Sequence, residues 1–142
     1  VAAGALKAGN GWQEVKFDAP VKARFFCLEA LNSQDGRDYA AIAEFYLLGE
    51  NGKPLSRQHW QIAYADSEET RGGNFTADKI FDLQESTFWS TARRDRYPHQ
   101  VVIDLREDVT ISGFRYLPRA EEGYPGMIKE YKAYAKMNPF KF

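Results

Sequence analysis

The chain has 142 residues, enough for one domain with its own core and too few for two comfortable ones. A formal net charge of -1 supplies no basic footprint of the kind that nucleic acid selects, which argues against nucleic acid as a partner. Cys27 is the sole cysteine, so neither an internal disulfide nor a thiolate metal cluster can form, and its neighbours Phe25, Phe26 and Leu28 mark it as a buried, inert thiol.

Aromatic residues make up 15% of the chain, which suits pleated sheets with flat side chains on their faces. No apolar run approaches the roughly 20 residues of a membrane span, and the first residues lack a basic-then-apolar leader pattern. The expectation is a soluble segment cut from a longer protein.

Residues 1–11 are small and Gly-rich and predict little packed structure, whereas Trp12-Gln13-Glu14-Val15-Lys16-Phe17 alternates as a half-buried strand does. Asp18-Ala19-Pro20 is turn chemistry, and residues 21–31, apolar on both faces, predict a central strand. Residues 32–38 form a polar loop with an Asp-Gly turn signal. Residues 39–48 follow as an apolar run broken only by Glu44, an acid that is costly to bury without a partner. A salt bridge to an arginine such as Arg24, or a cation, would satisfy it.

Residues 49–56 read as a linker, and Trp60-Gln61-Ile62-Ala63-Tyr64-Ala65 as a short strand before a solvated loop. The run Asp82, Gln84, Glu85, Ser86 and Thr87 crowds oxygen-bearing side chains into a turn, a density that hydrogen-bonds to itself or wraps a hard cation. Residues 101–105 predict a buried strand bounded by Pro98 and by Arg106-Glu107-Asp108, and residues 109–117 another that ends at Pro118. Gly123-Tyr124-Pro125-Gly126 is a sharp turn. Residues 127–136 are ambiguous, because Ile128, Tyr131 and Tyr134 recur at a spacing that also suits a helix.

One stretch carries a resemblance. Ala77, Asp82, Thr87, Trp89, Thr91, Pro98, His99, Ile103, Asp104 and Leu105 match the central motif of discoidin domains, also called coagulation-factor type C domains. Two positions depart from it, with Leu83 and Arg106 standing where the family has Gly; the first Gly permits a tight turn at the family's cation loop. The resemblance implies a strand over 127–136 and an all-β jelly-roll β-sandwich.

Its order is unusual. Residues 57–142 resemble the family's N-terminal half and residues 1–48 its C-terminal half, so the expected architecture is one circularly permuted domain over residues 1–142, joined through 49–56. Two half-domains are the alternative, but each would leave a raw sheet edge and half a core.

The closest resemblance is to family 32 carbohydrate-binding modules, which implies a non-catalytic, monomeric, C-terminal accessory domain of a secreted, periplasmic or cell-surface bacterial glycoside hydrolase. Its partners would be a glycan, through a terminal sugar, and the parent enzyme. The two histidines, His59 and His99, stand in no nucleophile–base motif, in keeping with a segment that is not itself an enzyme. The resemblance further implies a structural Ca2+ held by Asp82, Thr87 and Glu44, with a metal-free hydrogen-bonded turn as the alternative. Candidate ligand-binding residues are Arg93, Arg96 and Tyr97, whose planar donors and ring suit sugar hydroxyls, carboxylates or sulfates, together with Tyr124 and Tyr39 as stacking platforms. A structural module that docks on a neighbouring domain without binding sugar is the competing expectation.

Overall fold

The computed structural model describes residues 2–9, 11–71, 73–119 and 125–141. The described residues form eight strands, all paired antiparallel, and one short 3-10 turn at Ala77–Phe81. In chain order the strands are β1 (Ala2–Ala5), β2 (Gln13–Ala30), β3 (Ala41–Ile42), β4 (Glu44–Gly49), β5 (Gln61–Ala65), β6 (Trp89–Ser90), β7 (His99–Leu117) and β8 (Glu130–Lys136). The main sheet runs β1-β8-β2-β7-β4 with β5 also on β7, and β3 pairs with β6 in a small second sheet.

Two long strands organise the molecule. Asp18-Ala19-Pro20 does not end a strand; it lies inside β2, where the register against β7 shifts between Lys16 and Val21. Likewise Arg106-Glu107-Asp108 lies inside β7, with a second shift between Ala23 and Phe25 of β2. A polar interruption thus marks bulges rather than turns, and bulges bend a strand and raise its twist.

One limb of β7 pairs with β4 and with the start of β2, while the other pairs with β5 and with the end of β2. The limbs fold over a shared core. Phe114 on the first lies 6.1 Å from Phe26 of β2 and 5.5 Å from Tyr131 of β8, and Phe45 of β4 stacks on Phe114 at 5.2 Å. Such inward-facing aromatics contribute about 0.5–1.5 kcal/mol per pair beyond their buried area. The fold is all-β, a β-sandwich, as the resemblance implies.

Gly113 permits the closest backbone approach: a Cβ there would meet the Val15 carbonyl oxygen at 2.2 Å. The first residues correct their expectation, because Ala2–Ala5 add an edge strand to β8 and Leu6 is buried. Within residues 127–136 the strand is Glu130–Lys136, where Tyr131 and Ala133 are buried while Glu130, Lys132 and Tyr134 are exposed, a period of two. The run 39–48 is split at Ala43 into β3 and β4. Both ends of the chain share one sheet, with β2 lying between β7 and β8. Residues 49–56 return along β4, where Pro54 bridges Leu48 and the Leu55 amide donates to the Leu47 carbonyl at 2.9 Å.

Candidate functional site

The Thr87-x-Trp89-x-Thr91 run positions three side chains for three tasks, one every second residue. The Thr87 hydroxyl donates to the Asp82 carboxylate. Trp89 is 1% exposed, and its indole donates to the Ser67 carbonyl at 2.9 Å. The Thr91 hydroxyl accepts from the Ala40 amide at 2.9 Å. The motif therefore ties one turn to three separate stretches of chain.

The structure brings Thr87 and Glu44 to the Asp82 turn. The Asp82 carboxylate caps its own turn by accepting from the Gln84 amide at 3.0 Å, and Leu83 between them adopts φ 66°, the left-handed region that Gly occupies in the family. Leu83 is 72% exposed, so its side chain finds room in solvent although its backbone is strained by roughly 1–2 kcal/mol. Glu44 is 1% exposed, with one carboxylate oxygen bound by the Arg57 guanidinium and Oε1 buried without a hydrogen-bond partner. Burial, and then the nearby Asp82 carboxylate, push the Glu44 pKa up to about 7 against the pull of Arg57.

The arginine that partners Glu44 is thus Arg57 and not Arg24, which instead reaches Asp104 at 3.2 Å. Two carboxylates and one hydroxyl, with the orphaned Glu44 Oε1 among their oxygens, fit a hard cation. Among the described residues no group of three or more acidic, His or Cys side chains gathers, so backbone carbonyls and Thr87 would complete a coordination shell.

The loop after β6 is anchored from beneath. Buried Ser67 accepts from the Ala92 amide at 2.8 Å and donates to Asp95 at 2.6 Å. This projects Arg93 into a cleft of about 460 Å³ that it shares with Glu69, Phe75, Ser90 and Arg119. A smaller recess of about 200 Å³ adjoins it, lined by Glu68, Thr70, Arg71 and Arg94 as well as Glu69 and Arg93. Strand-like bonds lace the cleft floor, with the Glu69 amide donating to Ser90 at 2.8 Å and the Ser90 amide to Phe75 at 3.1 Å. Phe75 stacks on Phe88 at 4.5 Å and 12°, and the Arg119 guanidinium lies 4.2 Å over the Phe88 ring.

Among the candidate ligand residues, Arg93 alone lines this cleft. Arg96 is exposed but lines neither recess. Tyr39 is 4% exposed with guanidiniums of Arg37 and Arg93 near its ring, so it is a covered anchor and not a platform. Tyr97 donates its hydroxyl to the Tyr39 carbonyl at 2.9 Å, a second anchor, and burial pushes its own pKa up. Tyr124 lies outside the described residues. Glu69, Phe75, Phe88 and Arg119 are additions; the one signal for them is a ring set among polar neighbours, as in Asn74-Phe75-Thr76.

A family model for the F5/8 type C domain matches residues 63–141. The chain belongs to the F5/8 type C domain family. A stretch of 88 residues is 35% identical to part of a sialidase from Micromonospora viridifaciens, covering 59% of this chain. The matched stretch spans only 13% of that enzyme's length.

Proposed function

We propose that the chain is a non-catalytic carbohydrate-binding module that takes a terminal sugar in the cleft shared by Glu69, Arg93 and Arg119. The carrying observation is that convergence itself: two arginines and a glutamate line one cleft with the half-buried ring of Phe75 on a hydrogen-bonded floor. Guanidinium forks and a carboxylate select hydroxyl or carboxylate groups, and a ring covers an apolar sugar face. Likeness to part of a sialidase supports attachment to a secreted, periplasmic or cell-surface bacterial glycoside hydrolase.

Binding is weak, on the order of 0.1–1 mM, because a small polar ligand exchanges water hydrogen bonds for protein ones. Useful retention on a polysaccharide therefore needs several modules or a multivalent surface. The test is a glycan array followed by titration calorimetry on the best sugar. Arg93→Ala should weaken binding about tenfold or more and leave the melting temperature unchanged, whereas Arg96→Ala should bind as the parent does. The reverse pattern moves the site to the far side of the loop.

The same reading gives the Asp82 turn a structural Ca2+ held by Asp82, Thr87 and Glu44, supported by the orphaned Glu44 Oε1. The ion would clamp the turn to β4. A ligand bound only by the folded state raises stability by mass action, so chelator should lower the melting temperature; a melt unchanged in excess chelator removes the ion from the account.

The single permuted domain is part of the proposal, supported by β2 pairing with β7 and β8. Cleavage within residues 49–56 should leave both pieces bound to one another, and their separation under native conditions would refute it. One observation favours a docking role: a cleft of about 880 Å³ is lined by Leu55, Phe81 and the exposed Leu83. If a neighbouring domain covers it, Leu83 and Gln84 amides exchange more slowly in the longer parent protein than in the isolated chain; equal exchange rules this out.

A further inference from the structure

We infer that Arg57 is a resident counter-cation of the Glu44–Asp82 site, holding Glu44 when no metal is present and competing with a divalent cation for it. This rests on the proposed cation reading of that site and adds the residue that sets its affinity.

Arg57 enters from the chain just beyond residues 49–56, which return along β4 and so bring it beside the start of that strand. Its guanidinium donates to the Glu44 carboxylate and, at 3.0 Å, to the Phe45 carbonyl. The Glu44 side chain is 2% exposed and that of Arg57 16%, so the charges meet largely out of water, where their attraction is strong. Removing one member of such a pair leaves an uncompensated buried charge.

The pairing is nevertheless incomplete, because Glu44 Oε1 has no partner. With both carboxylates ionised, two of them against one guanidinium leave the site one positive charge short of neutrality. A divalent cation added with Arg57 in place overshoots neutrality, whereas without Arg57 it balances the two carboxylates. Arg57 also borders the cleft that holds Asp82, Asp78 and Tyr46, and its guanidinium lies 5.5 Å over the Tyr46 ring. The guanidinium therefore has both open space and a ring face toward which to retreat when a cation enters. Guanidinium and metal are alternative occupants of one negative site, and the fold does not depend on the metal.

The test uses Ca2+ in titration calorimetry and Tb3+ luminescence, for which Trp60 on the same cleft serves as sensitiser. Parent, R57Q and R57K are each melted in Ca2+ and in chelator. R57Q should bind Ca2+ about ten- to a hundredfold more tightly than the parent, since one repelling charge has gone, and should show a larger Ca2+-dependent rise in melting temperature. R57K should fall between them. An R57Q chain that is unfolded in chelator and recovered by Ca2+ supports the same conclusion. Equal, measurable affinities in parent and R57Q overturn the role of Arg57 and leave the cation site standing. No binding by any of the three overturns both. If R57Q is unfolded with and without Ca2+, an R57K chain that binds as the parent does overturns the inference, and one that binds more tightly upholds it.

Discussion

Two buried ionisable side chains, His99 and Glu44, have opposite degrees of completeness. His99 is 0% exposed, and its ring nitrogens lie 2.7 Å from the Asp66 carboxylate and 2.7 Å from the Asp38 carbonyl. Both partners are acceptors, so the doubly protonated ring alone can donate to each. Glu44 is buried as deeply but leaves one oxygen without a partner. A closed set of partners locks two loops to the start of β7 and has nothing left to offer a ligand. An open set retains unspent affinity, which is why the cation reading attaches to Glu44 and not to His99.

The largest effect should come from His99→Ala, which leaves the Asp66 carboxylate facing a cavity. Breaking a buried charged pair from one side costs about 3–5 kcal/mol, and urea denaturation measures it. A loss below 1 kcal/mol would mean that His99 is no more complete than Glu44.

Protonation should produce a smaller effect. Burial alone disfavours the charged ring, but the Asp66 hydrogen bond, then the Asp38 carbonyl and the charges of Asp66 and Asp95, outweigh it and raise the His99 pKa above 6.5. For a group whose folded pKa is raised, the added stability is fully present below the unfolded value of roughly 6.5. It is lost as pH climbs through the folded value. Parent stability should therefore fall across that window relative to His99→Gln, in urea titrations from acid to mildly alkaline pH. A parent that gains on the variant as pH rises contradicts the assignment.

Glu44→Gln should give the smallest change. In chelator the amide oxygen still accepts from Arg57, the NH2 donates toward Asp82, and the Asp82 charge still balances the guanidinium, so stability should stay within about 1 kcal/mol of the parent. Any Ca2+-dependent rise in melting temperature should vanish. A loss as large as that of His99→Ala would erase the contrast between the two sites.

Asp82 and Asp104 explain how Leu83 and Arg106 can hold a left-handed backbone at positions where the motif has glycine. The Asp104 carboxylate accepts from the Arg106 amide at 2.9 Å, as Asp82 does from Gln84, and Arg106 holds φ 64° where Leu83 holds 66°. Each Asp supplies a local hydrogen bond that offsets the strain of a side chain at positive φ. The departures from Gly were visible in the sequence. Their harmlessness was not, because it depends on where Leu83 and Arg106 point, and both point into solvent.

The bends in β2 and β7 show a related limit. Proline and charge clusters signal an interruption, but a turn and a bulge interrupt the pattern alike. Only the partner strand distinguishes them, through the register that resumes on the far side.

From sequence alone came the family motif, the all-β class, the central place of residues 21–31, and the polar turn from Asp82 to Thr87. These rest on local chemistry: period-two burial, β-branched runs, and a turn whose oxygens lie within a few residues of one another. Tertiary structure decided what distant residues do to each other. It gave Glu44 to Arg57 and Arg24 to Asp104, covered Tyr39, and, of the two candidate arginines Arg93 and Arg96, set Arg93 beside Glu69 and Arg119. An arginine's reach and a tyrosine's exposure depend on which segments the fold brings alongside, and side-chain charge and size do not encode that neighbour.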